Sequence, residues 1–430
     1  MTIKRPAEIN PDPLFKAFET LWASLFTSSV HLDSALSKLT PASKSALASF
    51  VPVLLRTPAS LCQGLGIGIP SGEPWKVSLA DLATWKPALL AASRFSELRA
   101  VGAPFPGMTL EADVSDFPEW MIQDWQDEWG KQGAQDLARI LGMEAPLSLR
   151  SRRAIGAEGV LKNLKKNNVP VRIAPSVLAP FGVVLSGYAQ VLNTDLYKEG
   201  AYEIQDEGSQ FMALFALWPE LFGPRLQKIP GAASAERPWS LPEVPEKVPG
   251  WTVIDACAGA GGKTLALADA LQGRGRVFAY DTSAPKLTAL RRRVSRGEFT
   301  NIQTIALQEG HEEDTIGKFR KRADVVLVDA PCSGWGVLRR NPDIKWRQTP
   351  EVRARMPQIQ KRLLLVYSSL VAPGGRLIYG VCTFRKAETT AIVDEFLSEQ
   401  PEFERAQGGY LGPESSDGFF MQAFVRKTSK

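Results

Sequence analysis

Hydrophobic residues in the second half of the chain alternate between two periods. From Trp251 onward, short apolar runs typical of buried parallel strands are separated by stretches with apolar residues at helical spacing. This alternation predicts a doubly wound α/β domain, in which helices cover both faces of a parallel sheet. The predicted strands are Val253–Ala256, Val277–Tyr280, Ile302–Ala306, Val325–Val328, Arg376–Gly380 and a last strand, Phe419–Val425. The predicted helices are Thr264–Leu271, Ala284–Val294, Val352–Leu370 and Glu388–Leu397.

The first third of the chain has helical periodicity. Apolar residues recur at helical spacing within Leu14–Phe26, Ala46–Leu55 and Leu79–Leu98, and the tryptophans at 120, 125 and 129 also share a helix face. No reactive polar residue accompanies these tryptophans. We therefore expect them to belong to the core of a helical bundle and not to a cofactor site.

The pattern of apolar and polar residues changes at Pro146, and the new pattern ends near Tyr202. Short strand patterns here surround one helical pattern, which predicts a small α/β module of the RRM type. The strands are Leu147–Leu149, Val171–Ile173 and Val183–Leu185, and the helix is the basic segment Gly156–Asn167. Its lysines at 162, 165 and 166 either bind phosphates or form a solvated face, and the second outcome is the commoner one.

These patterns predict three domains. They are a helical domain of residues 1–145 that is a candidate for RNA binding, the small module 146–204, and the larger α/β domain 205–430. Five prolines between 229 and 249 predict an exposed loop inside the last domain.

Composition removes several classes of protein. The net charge of +5 permits an anionic partner without requiring one. Four widely spaced cysteines form neither a disulfide framework nor a zinc motif, and two histidines supply a histidine-centred mechanism poorly. No signal peptide or long apolar run is present, so we expect a soluble cytoplasmic protein without a metal site.

The first strand of the α/β domain leads into a loop of small residues, Asp255–Thr264. A phosphate-binding Walker A loop needs glycine five residues before Gly262, where the chain has Cys257. A dinucleotide fingerprint needs a third glycine at Thr264. Both of these ligand classes are therefore disfavoured.

The remaining pattern is an acid at the strand end followed by Gly259-Ala260-Gly261, which is typical of an S-adenosylmethionine site. Such a site also needs an acid after the second strand to accept hydrogen bonds from ribose hydroxyls, and Asp281 stands there. Either feature alone is weak, because glycine loops are often plain turns and aspartates often cap helices. Together they predict a nucleotide-like cofactor.

Two cysteines follow strands of the same predicted sheet. Cys332 lies in Asp329-Ala-Pro-Cys-Ser-Gly, and Cys382 lies in Gly-Val-Cys-Thr-Phe. Ligands bind at the carboxyl ends of the strands in such sheets, so both thiols are expected to face the cofactor. Cys62 and Cys257 are instead expected to be small hydrophobic residues, as free cysteines usually are.

A thiol suits methylation of cytosine at C5, which is a poor nucleophile. A thiolate that adds to C6 converts C5 into an enamine carbon able to attack a methyl sulfonium, after which the C5 proton and the thiol leave. Asp329 would assist by hydrogen bonding to the exocyclic amine or, if protonated, to N3. The chemistry alone leaves open which cysteine attacks.

The same residues carry a family resemblance. The chain resembles the Nop/Sun RNA 5-methylcytosine methyltransferases from about residue 146 to its end. The matching motifs are Gly200–Asp206, Asp255–Thr264, Asp329–Gly334 with Arg339–Trp346, Cys382-Thr383 and Asp417–Phe420. The resemblance implies a class I methyltransferase fold, S-adenosylmethionine as cofactor and RNA, in particular rRNA, as substrate of a monomeric enzyme.

It also implies roles for single residues. Cys382 is the nucleophile, Cys332 assists release of the product, and Asp329 and Lys263 contact the base and the active site. The cofactor pocket comprises Cys257, Ala258, Gly259, Ala260, Gly261, Gly262, Lys263, Asp281 and Asp329. The family usually has aspartate after the third strand, where this chain has Gln308-Glu309, so Glu309 is the expected substitute.

RNA binding has further candidates in basic clusters at 291–296, 318–322 and 339–347, the last with Trp335 and Trp346 as stacking platforms. Trp335 equally fits a core position. Two alternatives remain open: a DNA cytosine-5 methyltransferase with Cys332 as nucleophile, and a noncatalytic RNA-binding or ribosome-assembly factor that retains the fold.

Overall fold

The structure is a computed structural model of the 430-residue chain. It describes residues 13, 15–21, 35–40, 47, 51–52, 54–56, 114–167, 169, 172–186, 191–227, 241–414 and 416–428. The predicted helix Leu79–Leu98 and Cys62 lie outside these residues, as does most of the proline-rich segment. Its described part, 241–249, contains neither helix nor strand. No helix of the described residues is long and apolar enough to cross a membrane.

Contacts divide the chain into two units. One comprises residues 1–144 with 337–349, and the other comprises 145–336 with 350–430. In the first unit, helix α1 (Glu119–Leu141) begins after Pro118 and is interrupted at Gly130, which has a φ of 74°. Trp125 is fully buried on α1 and packs against Phe117, so its predicted core position is confirmed.

The amino-terminal part of the second unit is a four-stranded antiparallel sheet. Its strands are β1 (Leu147–Ser151), β2 (Arg172–Pro175), β3 (Gly182–Ser186) and β4 (Tyr202–Ile204), in the order β2-β3-β1-β4. Helix α2 (Gly156–Lys166) follows β1 and buries Val160 and Leu164, while the short helix α3 (Asp195–Lys198) precedes β4. This strand order is that of a ferredoxin-like module, as the sequence predicted.

The larger sheet has seven strands in the order β10-β11-β9-β8-β5-β6-β7. The five from β9 to β7 are parallel, and β11 runs antiparallel to both of its neighbours, β9 and β10. The strands are β5 (Thr252–Asp255), β6 (Arg276–Asp281), β7 (Ile302–Ala306), β8 (Ala323–Asp329), β9 (Val371–Val381), β10 (Phe403–Leu411) and β11 (Phe419–Arg426). The strand order reverses beside β5, which is where ligands bind in open sheets.

Helices accompany this sheet and supply much of its core. They are α4 (Glu207–Leu217), α5 (Pro219–Phe222), α6 (Gly262–Ala270), α7 (Ala284–Arg296), α8 (Glu312–Ile316), α10 (Pro350–Ser368) and α11 (Thr390–Glu399), while α9 (Ile344–Arg347) belongs to the first unit. Helix α4 packs against α6 and β9; a Cβ at Gly380 would lie 2.6 Å from the Met212 sulfur, so glycine permits this close approach.

A buried ion network joins the small module to the large sheet. Asp269, at the end of α6, accepts a 2.7 Å bond from Arg152 Nε and another from the Arg153 backbone N–H, and Arg150 lies 3.6 Å away. The Asp269 side chain is 7% exposed. Removing one partner of a buried ion pair leaves an uncompensated charge. This network therefore holds the small module against α6.

Candidate active site

The small-residue loop leaves β5 and enters α6 through two glycines in left-handed conformations. Gly259 has a φ of 55° and Gly261 a φ of 90°. A Cβ on Gly261 would lie 2.1 Å from Leu290 Cδ1, so only glycine fits there. Hydrogen bonds from Ala258 N–H to Tyr280 O (2.8 Å) and from Gly261 N–H to Ala258 O (2.9 Å) hold the loop at the end of the sheet.

Asp281 lies at the end of β6, next to this loop. Its Oδ2 accepts a 2.7 Å hydrogen bond from the Gly259 backbone N–H, and its Oδ1 accepts one of 2.7 Å from Ser283. An ionised carboxylate has about four acceptor positions, so lone pairs remain for a ligand. The two separate sequence signals, glycine loop and distant acid, thus meet in one place.

Asp255 is the acid at the end of β5 and is 1% exposed. Its Oδ2 accepts a 2.6 Å hydrogen bond from Thr264, while its buried Oδ1 has no partner among the described residues. Burial raises the pKa of this carboxyl to about 7, against the lowering effect of the Thr264 hydroxyl. The loop therefore rests on an acid that changes charge near neutral pH.

Lys263 and Asp329 form an ion pair across the ends of β5 and β8. The distance from Lys263 Nζ to Asp329 Oδ2 is 2.6 Å, and the side chains are 11% and 25% exposed. Burial works against the Lys263 ammonium, but the Asp329 carboxylate and the Cys382 thiol outweigh it, so the pKa of Lys263 is raised. The Lys263 ammonium therefore stays charged and interacts electrostatically with Cys382.

The two cysteines come together as the sequence predicts. Strands β8 and β9 are parallel neighbours with Asp329 opposite Gly380, so the segments that follow them run side by side. The sulfur atoms of Cys332 and Cys382 are 3.2 Å apart, and both residues are partly exposed. The hydrogen bond to Cys382 and burial raise the pKa of Cys332 well above its usual range.

Cys257 behaves differently from this pair. It lies in the loop after β5 as a free, partly exposed cysteine. Burial and the neighbouring carboxylates of Asp329, Asp255 and Asp281 raise its pKa well above the usual range. A thiol surrounded by carboxylates is a poor nucleophile at neutral pH, and the partial exposure of Cys257 differs from the small hydrophobic core residue that the sequence predicts.

Backbone hydrogen bonds through two glycines hold the segment that contains Cys382. Gly336 N–H donates to Cys382 O at 2.9 Å, and Gly418 N–H donates to Gly336 O at 2.8 Å. A Cβ on Gly336 would lie only 1.9 Å from the Gly418 oxygen. The motif Asp417–Phe420 is tied in turn to Asp206, whose carboxylate accepts from the Asp417 backbone N–H at 3.2 Å. Segments distant in the sequence thus converge on the nucleophile candidate.

After β7 the sequence predicts an acidic residue, Glu309, that contacts the adenosine. Gln308 and Glu309 follow β7 and are exposed. Glu312, which the sequence did not single out, is 3% exposed, and both its carboxylate oxygens accept hydrogen bonds from Arg362, at 2.8 and 3.0 Å. Because Glu312 is engaged by arginine, Glu309 keeps its place as the predicted contact to the adenosine.

One predicted RNA contact is wrong. Trp335 is fully buried, and Trp346 is 8% exposed, with its indole N–H bonded to Leu55 O at 2.9 Å. Arg339 is 5% exposed, and Lys345, 2% exposed, donates to the carbonyl oxygens of Arg56 and Asp116. These side chains are part of the protein interior, so they can neither stack on bases nor bind phosphates.

The other basic segments contain both salt-bridged and exposed side chains. Arg293 and Arg296 on α7 form salt bridges with Glu203, whereas Arg291 and Arg292 are exposed. The lysines of α2 are exposed as well; they are Lys162, Lys165 and Lys166. An anionic partner therefore has exposed cations available on both domains of this unit.

The strand order β7-β6-β5-β8-β9-β11-β10, with only β11 reversed, together with a glycine loop and an acid after β6, defines a class I S-adenosylmethionine-dependent methyltransferase fold. Residues 245–422 match the family described as 16S rRNA methyltransferase RsmB/F, and residues 117–192 match the RsmF/B-like ferredoxin-like domain. The chain belongs to the RsmB/F family, and the predicted family, fold and cofactor are confirmed.

Relatives agree with this assignment. The chain is 30% identical over 296 residues to a probable ribosomal RNA small subunit methyltransferase B of Bacillus subtilis, covering 68% of this chain and 58% of that protein. It is 28% identical over 302 residues to a protein of the same description from Synechocystis, covering 69% and 60%. The matches thus span less than two thirds of these relatives. The crystal structure of PH0851 has the same fold, with a TM-score of 0.69 at 20% identity over 98% of this chain and 100% of that one.

Proposed function

We propose that this protein transfers a methyl group from S-adenosylmethionine to C5 of a cytosine in RNA, with Cys382 as the nucleophile. The observation that carries the proposal is the pair of thiols, 3.2 Å apart, at the carboxyl ends of two adjacent parallel strands. Lys263 and Asp329 form their ion pair at the same edge of the sheet. The names of the rRNA methyltransferase relatives support RNA, and specifically rRNA, as the substrate.

The residues present fit the cofactor. The loop between Cys257 and Lys263 has no side chain at Gly259, where nothing lies within 4 Å of the Cβ position, which leaves the backbone there open to a ligand. The buried Asp255 Oδ1 has no partner among the described residues, so it can accept a hydrogen bond. Asp281 would hold the ribose, Glu309 would contact the adenosine and Asp329 would border the methionine end. When bound, the cofactor supplies an electrophilic methyl group.

The thiolate of Cys382 would add to C6 of the base and convert C5 into an enamine carbon. The cofactor would supply its methyl group to C5, with the electrons of the broken methyl–sulfur bond staying on the cofactor sulfur. The C5 proton leaves to water, the C6–S bond breaks, and its electrons return to the Cys382 sulfur. Cys332, as the thiol, donates a hydrogen bond to this departing sulfur and thereby assists release. Asp329 would hydrogen-bond the exocyclic amine while Lys263 stabilises negative charge beside Cys382. The target cytosine must be unpaired or flipped out to reach the thiol.

The test uses purified protein, labelled S-adenosylmethionine, and total RNA or genomic DNA from cells that lack the protein. We expect label in RNA at 5-methylcytosine, no label with Cys382→Ala, and an SDS-resistant protein–RNA adduct with Cys332→Ala. An active Cys382→Ala with an inactive Cys332→Ala would reverse the two roles. Label in DNA alone would favour the DNA methyltransferase alternative, and no label with naked RNA or with immature small subunits would favour the assembly factor. The monomeric state and cytoplasmic location stay predictions.

A further inference from the structure

The turn that follows Cys382 contains a fully buried carboxylate to which neither sequence motif nor comparison gives a role. Glu388 is 0% exposed. Its Oε2 accepts hydrogen bonds from the Ser333 backbone N–H and from Gln360 Nε2, both 2.9 Å long, and its Oε1 accepts one of 2.9 Å from Arg385 Nη1. Three donors and no acceptor surround this side chain in the described contacts, as an ionised carboxylate requires.

These contacts enclose Cys332. Ser333 follows the cysteine and is bonded to Glu388, while the carbonyl of Pro331, which precedes it, accepts a 2.9 Å bond from Gln360 Nε2. The Ser333 hydroxyl lies 2.7 Å from that of Thr383, the residue after Cys382. The backbone on both sides of Cys332 is therefore fixed to the same carboxylate that lies in the Cys382 turn.

The two thiols interact with groups of opposite charge. The negative charge of Glu388 contributes to raising the pKa of Cys332, after the larger effects of Cys382 and burial. Cys382 interacts instead with the Lys263 ammonium. Arg385 forms a salt bridge with Glu388 and stacks on Trp335. When the pair, whose sulfur atoms are 3.2 Å apart, holds a single proton, that proton favours Cys332, because the Glu388 carboxylate disfavours a thiolate there.

We propose that Glu388 is a positioning residue that keeps the shared proton on Cys332, so that Cys382 carries the thiolate and becomes the nucleophile. The carboxylate acts through Cys332 and the turn, and touches no substrate. This inference deepens the proposed function and rests on it for its catalytic consequence. The placement of the proton itself can be tested without RNA or cofactor.

The experiment measures how fast each thiol reacts with iodoacetamide as a function of pH, by peptide mass spectrometry of the full-length protein. In the wild-type protein we expect Cys382 to react faster than Cys332 near pH 7. In Glu388→Gln, which keeps the shape and removes the charge, the Cys382-to-Cys332 rate ratio should fall severalfold, because the Cys332 thiol then loses its proton more readily. Glu388→Asp keeps the charge and should retain most of the wild-type ratio.

Asp269→Asn is the matched control, because it also removes a buried carboxylate held by arginines, at a place where the structure shows no contact with the thiols. Its ratio should equal that of the wild type. The proposal is overturned by a wild-type ratio at or below one, which needs no variant, by an unchanged ratio in folded Glu388→Gln, or by equal changes in Glu388→Asp and Glu388→Gln.

Methylation gives the second readout. Glu388→Gln should lower kcat with little change in the KM for RNA, because the thiolate fraction of Cys382 falls while RNA contacts stay. In a Cys332→Ala background the same substitution should have much less effect on formation of the covalent adduct, since no second thiol competes for the proton. An equal loss in both backgrounds would show a merely structural role. If the wild-type protein methylates no RNA, the proposed function fails, whereas the thiol ratio still decides the placement of the proton.

Discussion

Asp255 offers a direct test of the electrostatics beneath the cofactor loop. The ordinary pKa of an aspartate is 3.8, and burial raises that of Asp255 to about 7. A carboxyl that holds its proton more tightly in the folded protein stabilises the fold below pH 4, and this contribution is lost as the pH rises through about 7. The difference amounts to about 4 kcal/mol in total, of which about 3 kcal/mol falls between pH 5 and pH 8.5.

Asp255→Asn removes the titration and keeps an oxygen that accepts from Thr264. Urea unfolding of the cofactor-free protein, followed by tryptophan fluorescence at several pH values, gives the difference in free energy of unfolding between variant and wild type. Because other titrating groups are shared, the difference isolates Asp255. We expect the variant to gain about 3 kcal/mol relative to the wild type between pH 5 and pH 8.5.

Thr264→Val provides the opposite perturbation. The Thr264 hydroxyl donates to Asp255 Oδ2 at 2.6 Å and lowers the pKa of the carboxyl, so its loss should move the fall in stability to higher pH. A variant-to-wild-type difference for Asp255→Asn that stays flat across this range would refute the reasoning, since a carboxyl that titrates alike in both states contributes no pH dependence.

Two further predictions concern the same edge of the sheet. Gly261→Ala should destabilise the protein by about 1–3 kcal/mol and weaken cofactor binding measured by calorimetry, because the new Cβ meets Leu290 at 2.1 Å. Gly259→Ala, whose Cβ would have nothing within 4 Å, should cost less. Similar losses for both variants would contradict this prediction. Lys263→Met should lower single-turnover methylation about 100-fold or more at saturating cofactor, because Asp329 loses its ion pair and Cys382 its cation; an unchanged rate would remove the lysine from the mechanism.

The site was predictable from sequence wherever it depends on strand ends. Asp255, Asp281, Asp329 and the two reactive cysteines follow apolar runs, and parallel strands bring their carboxyl ends to one edge. Glu388 gave no such signal, because it lies in an irregular turn, six residues after Cys382, and its partners come from distant segments.

Surface and interior were harder to separate. The segment Arg339–Trp346 is rich in cations, which usually indicates a solvated face, yet Arg339 and Lys345 are buried because backbone carbonyls and an aromatic ring satisfy them. Helix α4 was missed because Phe211–Leu217 is buried all round and has no amphipathic period. Strand β10 was missed because it is an edge strand with exposed residues and an irregular register near Gly408.

The proposed order of the two cysteines is supported by the charged groups that interact with each of them. The Lys263 ammonium, which is paired with Asp329, interacts with Cys382, whereas the Glu388 carboxylate, which is paired with Arg385, contributes to raising the pKa of Cys332. If Cys332 were the nucleophile, its thiolate would form beside a buried carboxylate, and the lysine would stabilise the thiol that does not react. The reverse order would need the two charges exchanged, so the electrostatics favour Cys382 as the attacking thiol independently of any relative.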